Sequence, residues 1–184
     1  VIGAGYIIGG IRSALVVGGL TLFIALSPWW DRALVTTYMA TFGVIISCII
    51  GFTVGTLCFQ NKHTTKFMLA VCDIFQTFPS FVYLIPVLMF FGGGIVSAVL
   101  ATIIYSIPPI IRLTVLGLSQ VSVTYSEVST AFGGTTIQTL RKVKFPMAIP
   151  SLVMGFNQTV MMAFAMQIVT PLIGGKGLGR EVFH

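Results

Sequence analysis

The chain has 184 residues, 56% of them hydrophobic and only 8% charged, and its mean hydropathy is +1.02. A soluble domain carries about 25% charged residues, so this chain lacks the polar surface to fold in water, and lipid is the solvent for most of it. The net charge of +6 does not point to nucleic acid, because Lys and Arg fall in short loops and at the ends of apolar runs, with no aromatic-interleaved basic patch.

In chain order, the pattern predicts an all-α polytopic bundle over 1–184, a single domain with about five membrane helices. The first span, 7–27, ends at Pro28-Trp29-Trp30-Asp31-Arg32, where two Trp side chains suit the membrane interface. It lacks the layout of a cleaved signal peptide and reads as a retained helix. The second span covers 34–59 and leads into the polar loop 60–66. The third, 67–91, carries Pro79 and Pro86 and stops at Gly92-Gly93-Gly94. The fourth, 95–118, contains Pro108-Pro109. A polar island follows at 119–146, then a fifth span, 147–173, and a Gly-rich tail. The chain starts at Val1 and stops at His184, and reads as a fragment.

Prolines inside membrane helices remove backbone donors, so Pro79, Pro86 and Pro108-Pro109 predict broken or kinked helices packed inside protein, either static or acting as hinges. Cys48, Cys58 and Cys72 have neither metal-ligand nor C-x-x-C spacing and read as small buried hydrophobes. Asp73 lies inside the third span, where a carboxylate is costly; it either reaches the interface or pairs with Arg112. His63 reads as a solvated loop residue, and His184 is terminal.

The Lys/Arg distribution sets the orientation. With the N-terminus, loop 60–66 and the island on one side, that side holds Arg12, Lys62, Lys66, Arg112, Arg141, Lys142 and Lys144. The other side holds Arg32, Lys176 and Arg180. The richer side is expected in the cytoplasm.

The island holds Glu127, one of only four acidic residues, and the basic cluster Arg141, Lys142 and Lys144. Ala131 and Phe132 give a short helix an apolar face, and Gly133-Gly134 lets the chain leave it sharply. Such a helix either docks into a partner's groove or lies at the lipid interface. From Glu127, Gly133 lies six residues on, and nine residues then precede Val143-Lys144-Phe145-Pro146. This spacing resembles the E-A-A-x-x-x-G-x9-I-x-L-P loop of ABC importer membrane subunits. Val128, Ser129, Val143 and Phe145 depart from that pattern.

A longer resemblance runs from about 40 to 180. Gln76-Thr-Phe-Pro-Ser-Phe-Val-Tyr-Leu-Ile-Pro, Ile103-Ile-Tyr-Ser-Ile-Pro-Pro-Ile-Ile-Arg-Leu-Thr, Gly155-Phe-Asn-Gln-Thr-Val-Met-Met-Ala and Leu172-Ile-Gly-Gly-Lys-Gly-Leu-Gly carry it. They resemble the permease subunit of glycine betaine/proline betaine ABC importers. Members usually continue into a further span, so the resemblance implies C-terminal truncation.

The resemblance implies a type I importer fold in a bacterial or archaeal cytoplasmic membrane. It implies three kinds of protein partner: a cytoplasmic ABC ATPase, an extracytoplasmic substrate-binding protein and a second permease copy. Glu127, Ala131, Phe132, Gly133 and Pro146 would then form the ATPase-coupling element. The chain has no phosphate-binding G-x4-G-K-S/T loop, so ATP chemistry is expected in the partner, and no cofactor or metal is expected here. A quaternary ammonium has no donor and is commonly held by aromatic faces. Phe78, Phe81 and Tyr83, around Pro79, are therefore pathway candidates. Asn157, Gln158 and Met161 in the fifth span either line the pathway or bond between helices. Other readings are a permease for another small solute such as an amino acid, or a non-transporting scaffold subunit. A membrane enzyme would need a catalytic constellation that two His and four acidic residues do not supply.

Overall fold

The computed structural model describes residues 2–182; Phe183 and His184, the end of the expected tail, lie outside the described residues. Within them all regular structure is helical: α1 (Ile2–Leu26), α2 (Trp30–Phe59), α3 (Lys62–Thr77), α4 (Phe81–Phe91), α5 (Ile95–Ser119), α6 (Val123–Ala131), α7 (Thr136–Thr139) and α8 (Phe145–Val169). A π-helical turn, Leu140–Lys144, joins α7 to α8, and two 3-10 turns, Thr170–Ile173 and Leu178–Val182, follow α8.

The core is α5 held between α2 and α8. On α2, Gly43, Ser47, Gly51 and Gly55 recur every four residues and form one ridge of small side chains. They face Thr102, Ser106, Ile110 and Thr114 of α5, also four apart. A Cβ at Gly43 would stand 2.7 Å from Thr102 Cγ2, one at Gly51 2.0 Å from Ile110 Cγ2, and one at Gly55 2.7 Å from Thr114 Cβ. Ser47 Oγ lies 2.8 Å from Ser106 Oγ and donates to the Ile103 carbonyl at 3.2 Å. In lipid, helices associate through such close packing and short polar contacts rather than through the hydrophobic effect.

Because the two rows match in ascending order, α2 and α5 run parallel. Helix α8 runs the other way: a Cβ at Gly117 would meet Ser151 Cβ at 2.7 Å, one at Gly155 would meet Ile110 Cδ1 at 3.1 Å, and Gln167 bonds Thr102. Parallel α2 and α5 require the intervening chain to return from one end of the bundle to the other. The pair α3–α4 does this. Cys72 of α3 packs with Cys58, Ile111 and Val115, while Tyr83, Leu84 and Val87 of α4 pack with Ala101, Met166 and Ile173. The pair is thus a broken crossing rather than a re-entrant loop.

Residues 67–91, expected from sequence as one span broken or kinked at its prolines, belong to two helices, Lys62–Thr77 and Phe81–Phe91, that meet at 95°. The cause is local. Phe78 is extended (φ −73°, ψ 138°), as the steric demand of Pro79 on its predecessor requires. Pro86, Pro108 and Pro109 instead sit inside continuous helices. Three helical stretches are long and apolar enough to cross a membrane alone: Trp30–Phe59, Ile95–Ser119 and Thr136–Ile173. The bent pair makes a fourth, and Gly10–Leu26 is a shorter apolar helix.

The bundle has two distinct ends. At one, the Gly94 amide donates to the Ile173 carbonyl at 2.9 Å, the Leu178 amide donates to Thr36 Oγ1 at 2.8 Å, and Arg32 pairs with Glu181. At the other, Thr65 Oγ1 donates to the Cys58 carbonyl at 2.9 Å, and Lys144 Nζ sits 4.6 Å above the Phe59 ring.

Candidate functional site

The first candidate surface is α6 and its exit. Ser122 caps the helix by accepting from the Thr124 amide at 3.3 Å, and α6 buries none of its residues. At its far end the Gly133 amide donates to the Thr130 carbonyl and the Gly134 amide to the Ser129 carbonyl, both at 2.9 Å. This is the paired Schellman closure, in which the residue after the cap turns left-handed. Gly133 has φ +79°, and a Cβ there would meet nothing within 4 Å. Its requirement is backbone conformation, not space. Steric crowding falls on Gly134 instead, where a Cβ would stand 2.7 Å from the Ser129 carbonyl oxygen.

The next helix starts at once. Thr135 and Gln138 exchange side-chain-to-backbone bonds of 2.9 and 3.3 Å in a capping box, and Ser129 Oγ lies 2.7 Å from Thr139 Oγ1. These bonds fix α6 against α7. The result presents Tyr125, Val128 and Phe132 at three- and four-residue spacing, with Phe132 90% exposed; Ile137 of α7 is 76% exposed. Glu127 and Ala131 are also exposed. Pro146 is exposed immediately after the π-helical turn.

The pathway candidates do not form one cluster. Phe78 and Phe81 are half exposed at the α3–α4 break, whereas Tyr83 is buried. Tyr83 donates its hydroxyl to the Phe75 carbonyl and packs against Phe75 and Tyr105, with ring centroids 5.8 and 5.6 Å away. It ties the two halves of the broken crossing together. On α8, Asn157, Gln158 and Met161 are exposed. With Met154, Met162 and Ala165 they line an open groove of about 460 Å³. Two amides on a membrane-facing surface are costly when left to lipid.

Sequence reasoning passed over Gln167, which is 4% exposed. Its Nε2 donates to Thr102 Oγ1 at 2.9 Å, and its Oε1 has no partner among the described residues. The signal available was a third amide in the same apolar run as Asn157 and Gln158. Asp73 does pair with Arg112, whose Nη1 also lies 3.4 Å from Gln76 Oε1. Among the described residues no three His, Cys, Asp or Glu side chains converge on a possible metal position.

Comparison with known proteins places this architecture in a class. The family described as binding-protein-dependent transport system inner membrane component matches residues 43–184, and the chain belongs to that family. The chain is 61% identical over 182 residues to the trimethylamine N-oxide transport system permease protein TmoV of Pelagibacter ubique, covering 99% of this chain and 25% of the relative. It is 39% identical over 162 residues to the glycine betaine transport system permease protein OpuAB of Bacillus subtilis, covering 88% of this chain and 57% of that one. With the glycine betaine/proline betaine permease protein ProW of Escherichia coli it shares 39% over 155 residues, covering 84% and 44%. The chain thus spans a quarter to about half the length of these relatives.

Among solved structures, inward-facing forms of the MetNI methionine ABC transporter superpose with TM-scores of 0.71 and 0.75 at 24% and 23% identity. They cover 80% and 84% of this chain, and 74% and 78% of theirs. At that identity the likeness concerns the fold, which is that of type I ABC importer permeases. The chain is a multi-pass membrane member of that transport-system family.

Proposed function

We propose that the chain forms part of the membrane pathway of an ABC importer for a small methylated amine carrying an anionic oxygen. Trimethylamine N-oxide is the first choice of solute and glycine betaine the second. The relative with 61% identity is a trimethylamine N-oxide permease by name, and those at 39% are betaine permeases. Glycine betaine, favoured by sequence motifs alone, thereby moves to second place. Amino-acid transport finds no support in these relatives.

The observation that carries the reading is the exposed Tyr125–Val128–Phe132 stripe on a helix with no buried residue. It sits at the bundle end where Lys62, Lys66, Arg141, Lys142 and Lys144 collect, which we assign to the cytoplasm. An ATPase partner accepts this stripe, with Glu127, Ala131 and Gly133 in the same element. ATP-driven movement of α6 passes to α8 through α7 and the π-helical turn. The Asn157–Gln158–Met161 face meets a second copy and water between the two copies. Phe78 and Phe81 offer π faces at the crossing's break. An extracytoplasmic binding protein delivers the solute.

The test is the complete transporter with its ATPase and binding protein in lipid. Loaded binding protein should raise ATP hydrolysis several-fold, and Phe132→Asp should abolish the stimulation by breaking the apolar dock. Full stimulation in Phe132→Asp would remove the coupling assignment.

A further inference from the structure

Helix α3 has a core face and a broad exposed arc. Met68, Leu69 and Cys72 turn to the core. Phe67 and Ile74 are exposed and apolar, 68% and 52%, and suit lipid. A third row, His63, Lys66, Ala70, Asp73 and Thr77, recurs at three- and four-residue spacing, and every member is exposed. It runs the length of α3 up to the break at Pro79. Above it lies Arg112, seven residues before the end of α5, which puts it about 10 Å inside that helix. The side chains of Arg112 and Asp73 are 40% and 56% exposed. Only Nη1 of the guanidinium is engaged, with Asp73 and Gln76; Nε and Nη2 have no hydrogen-bond partner among the described residues.

Charged groups in membrane segments face a bundle interior or a water-filled cavity rather than hydrocarbon, and an exposed ion pair with free donors on this face calls for one or the other.

We propose that the polar row of α3 lines the aqueous route of transport and that Arg112 is a specificity-determining residue which receives the anionic oxygen of the passing solute. This rests on the importer reading above. Asp73 and Gln76 hold the guanidinium by one edge, leaving its other N–H groups presented to the route. A carboxylate or N-oxide oxygen accepts from those free donors, a charge-assisted contact. Asp73 is a positioning residue that keeps the guanidinium extended between solutes.

The experiment uses the complete transporter with its binding protein and ATPase, and with Cys48, Cys58 and Cys72 replaced. Single cysteines at Ala70 and Thr77 should react with a membrane-impermeant thiol reagent. Uptake of trimethylamine N-oxide or glycine betaine should fall about tenfold in Arg112→Gln, the scale of one charge-assisted hydrogen bond. It should stay low in the double variant Asp73→Asn/Arg112→Gln. A merely structural ion pair behaves otherwise: removing both charges relieves the penalty of leaving one unpaired. Recovery of uptake in the double variant would therefore overturn the proposal. So would failure of Ala70 and Thr77 to label, including their protection by disulfides between copies. If the unmutated transporter moves neither solute, the importer reading fails instead.

Discussion

Gly133→Val should insert and fold yet lose more than about nine-tenths of ATP-driven uptake, while Gly133→Asn keeps most of it. The contrast follows from φ +79° with open space around the position. A side chain meets no neighbour there, so only the left-handed backbone discriminates. That conformation costs an L-residue about 1–2 kcal/mol, and Asn tolerates it better than most; β-branched Val fits it badly. Losing it opens the two bonds to Thr130 and Ser129 and redirects Phe132 at the end of the docking stripe. Equal uptake by Val and Asn would show that the α6 exit is not part of coupling. Membrane insertion of both variants separates this from a folding defect.

Gly51→Leu should abolish the folded bundle, and even Gly51→Ala should destabilise it by about 1–3 kcal/mol, the usual cost of overpacking a core. A Cβ at Gly51 would lie 2.0 Å from Ile110 Cγ2. Ile110 is 0% exposed and has no retreat, because its Cδ1 already approaches Gly155 of α8, at 3.1 Å from a Cβ built there. Ile110 is thus clamped between two glycines on two helices. The double variant Gly51→Ala/Ile110→Ala should recover much of the lost thermal stability in detergent. A single Gly51→Ala variant as stable as the parent would show that α2 and α5 are not packed at this distance.

The apolar bundle was legible because composition and run length alone decide it: lipid permits few architectures, and 184 residues with 8% charge cannot fold in water. The segment we propose as the docking element stood out for a similar reason, since Glu127 to Pro146 is polar where its surroundings are not. The break at Pro79 was marked by its proline, but so were positions where no break occurs. Pro108 and Pro109 are buried within an unbroken α5, and sequence gives no measure of what neighbouring helices will tolerate. The α2–α5 ridge was present in the letters as Gly43, Ser47, Gly51 and Gly55, yet its partner row is identifiable only once α5 is placed. The same limit separated Tyr83 from Phe78 and Phe81, which are neighbours in sequence but have different environments, and it hid Gln167, whose burial depends on Thr102 sixty-five residues away.

The central claim is tested most directly by accumulation of labelled solute in proteoliposomes holding the complete transporter, with binding protein outside and ATP trapped inside. Concentrative uptake of trimethylamine N-oxide or glycine betaine, requiring both ATP and the binding protein, is expected. Failure to accumulate either methylated amine, or uptake that continues unchanged without ATP, would contradict it.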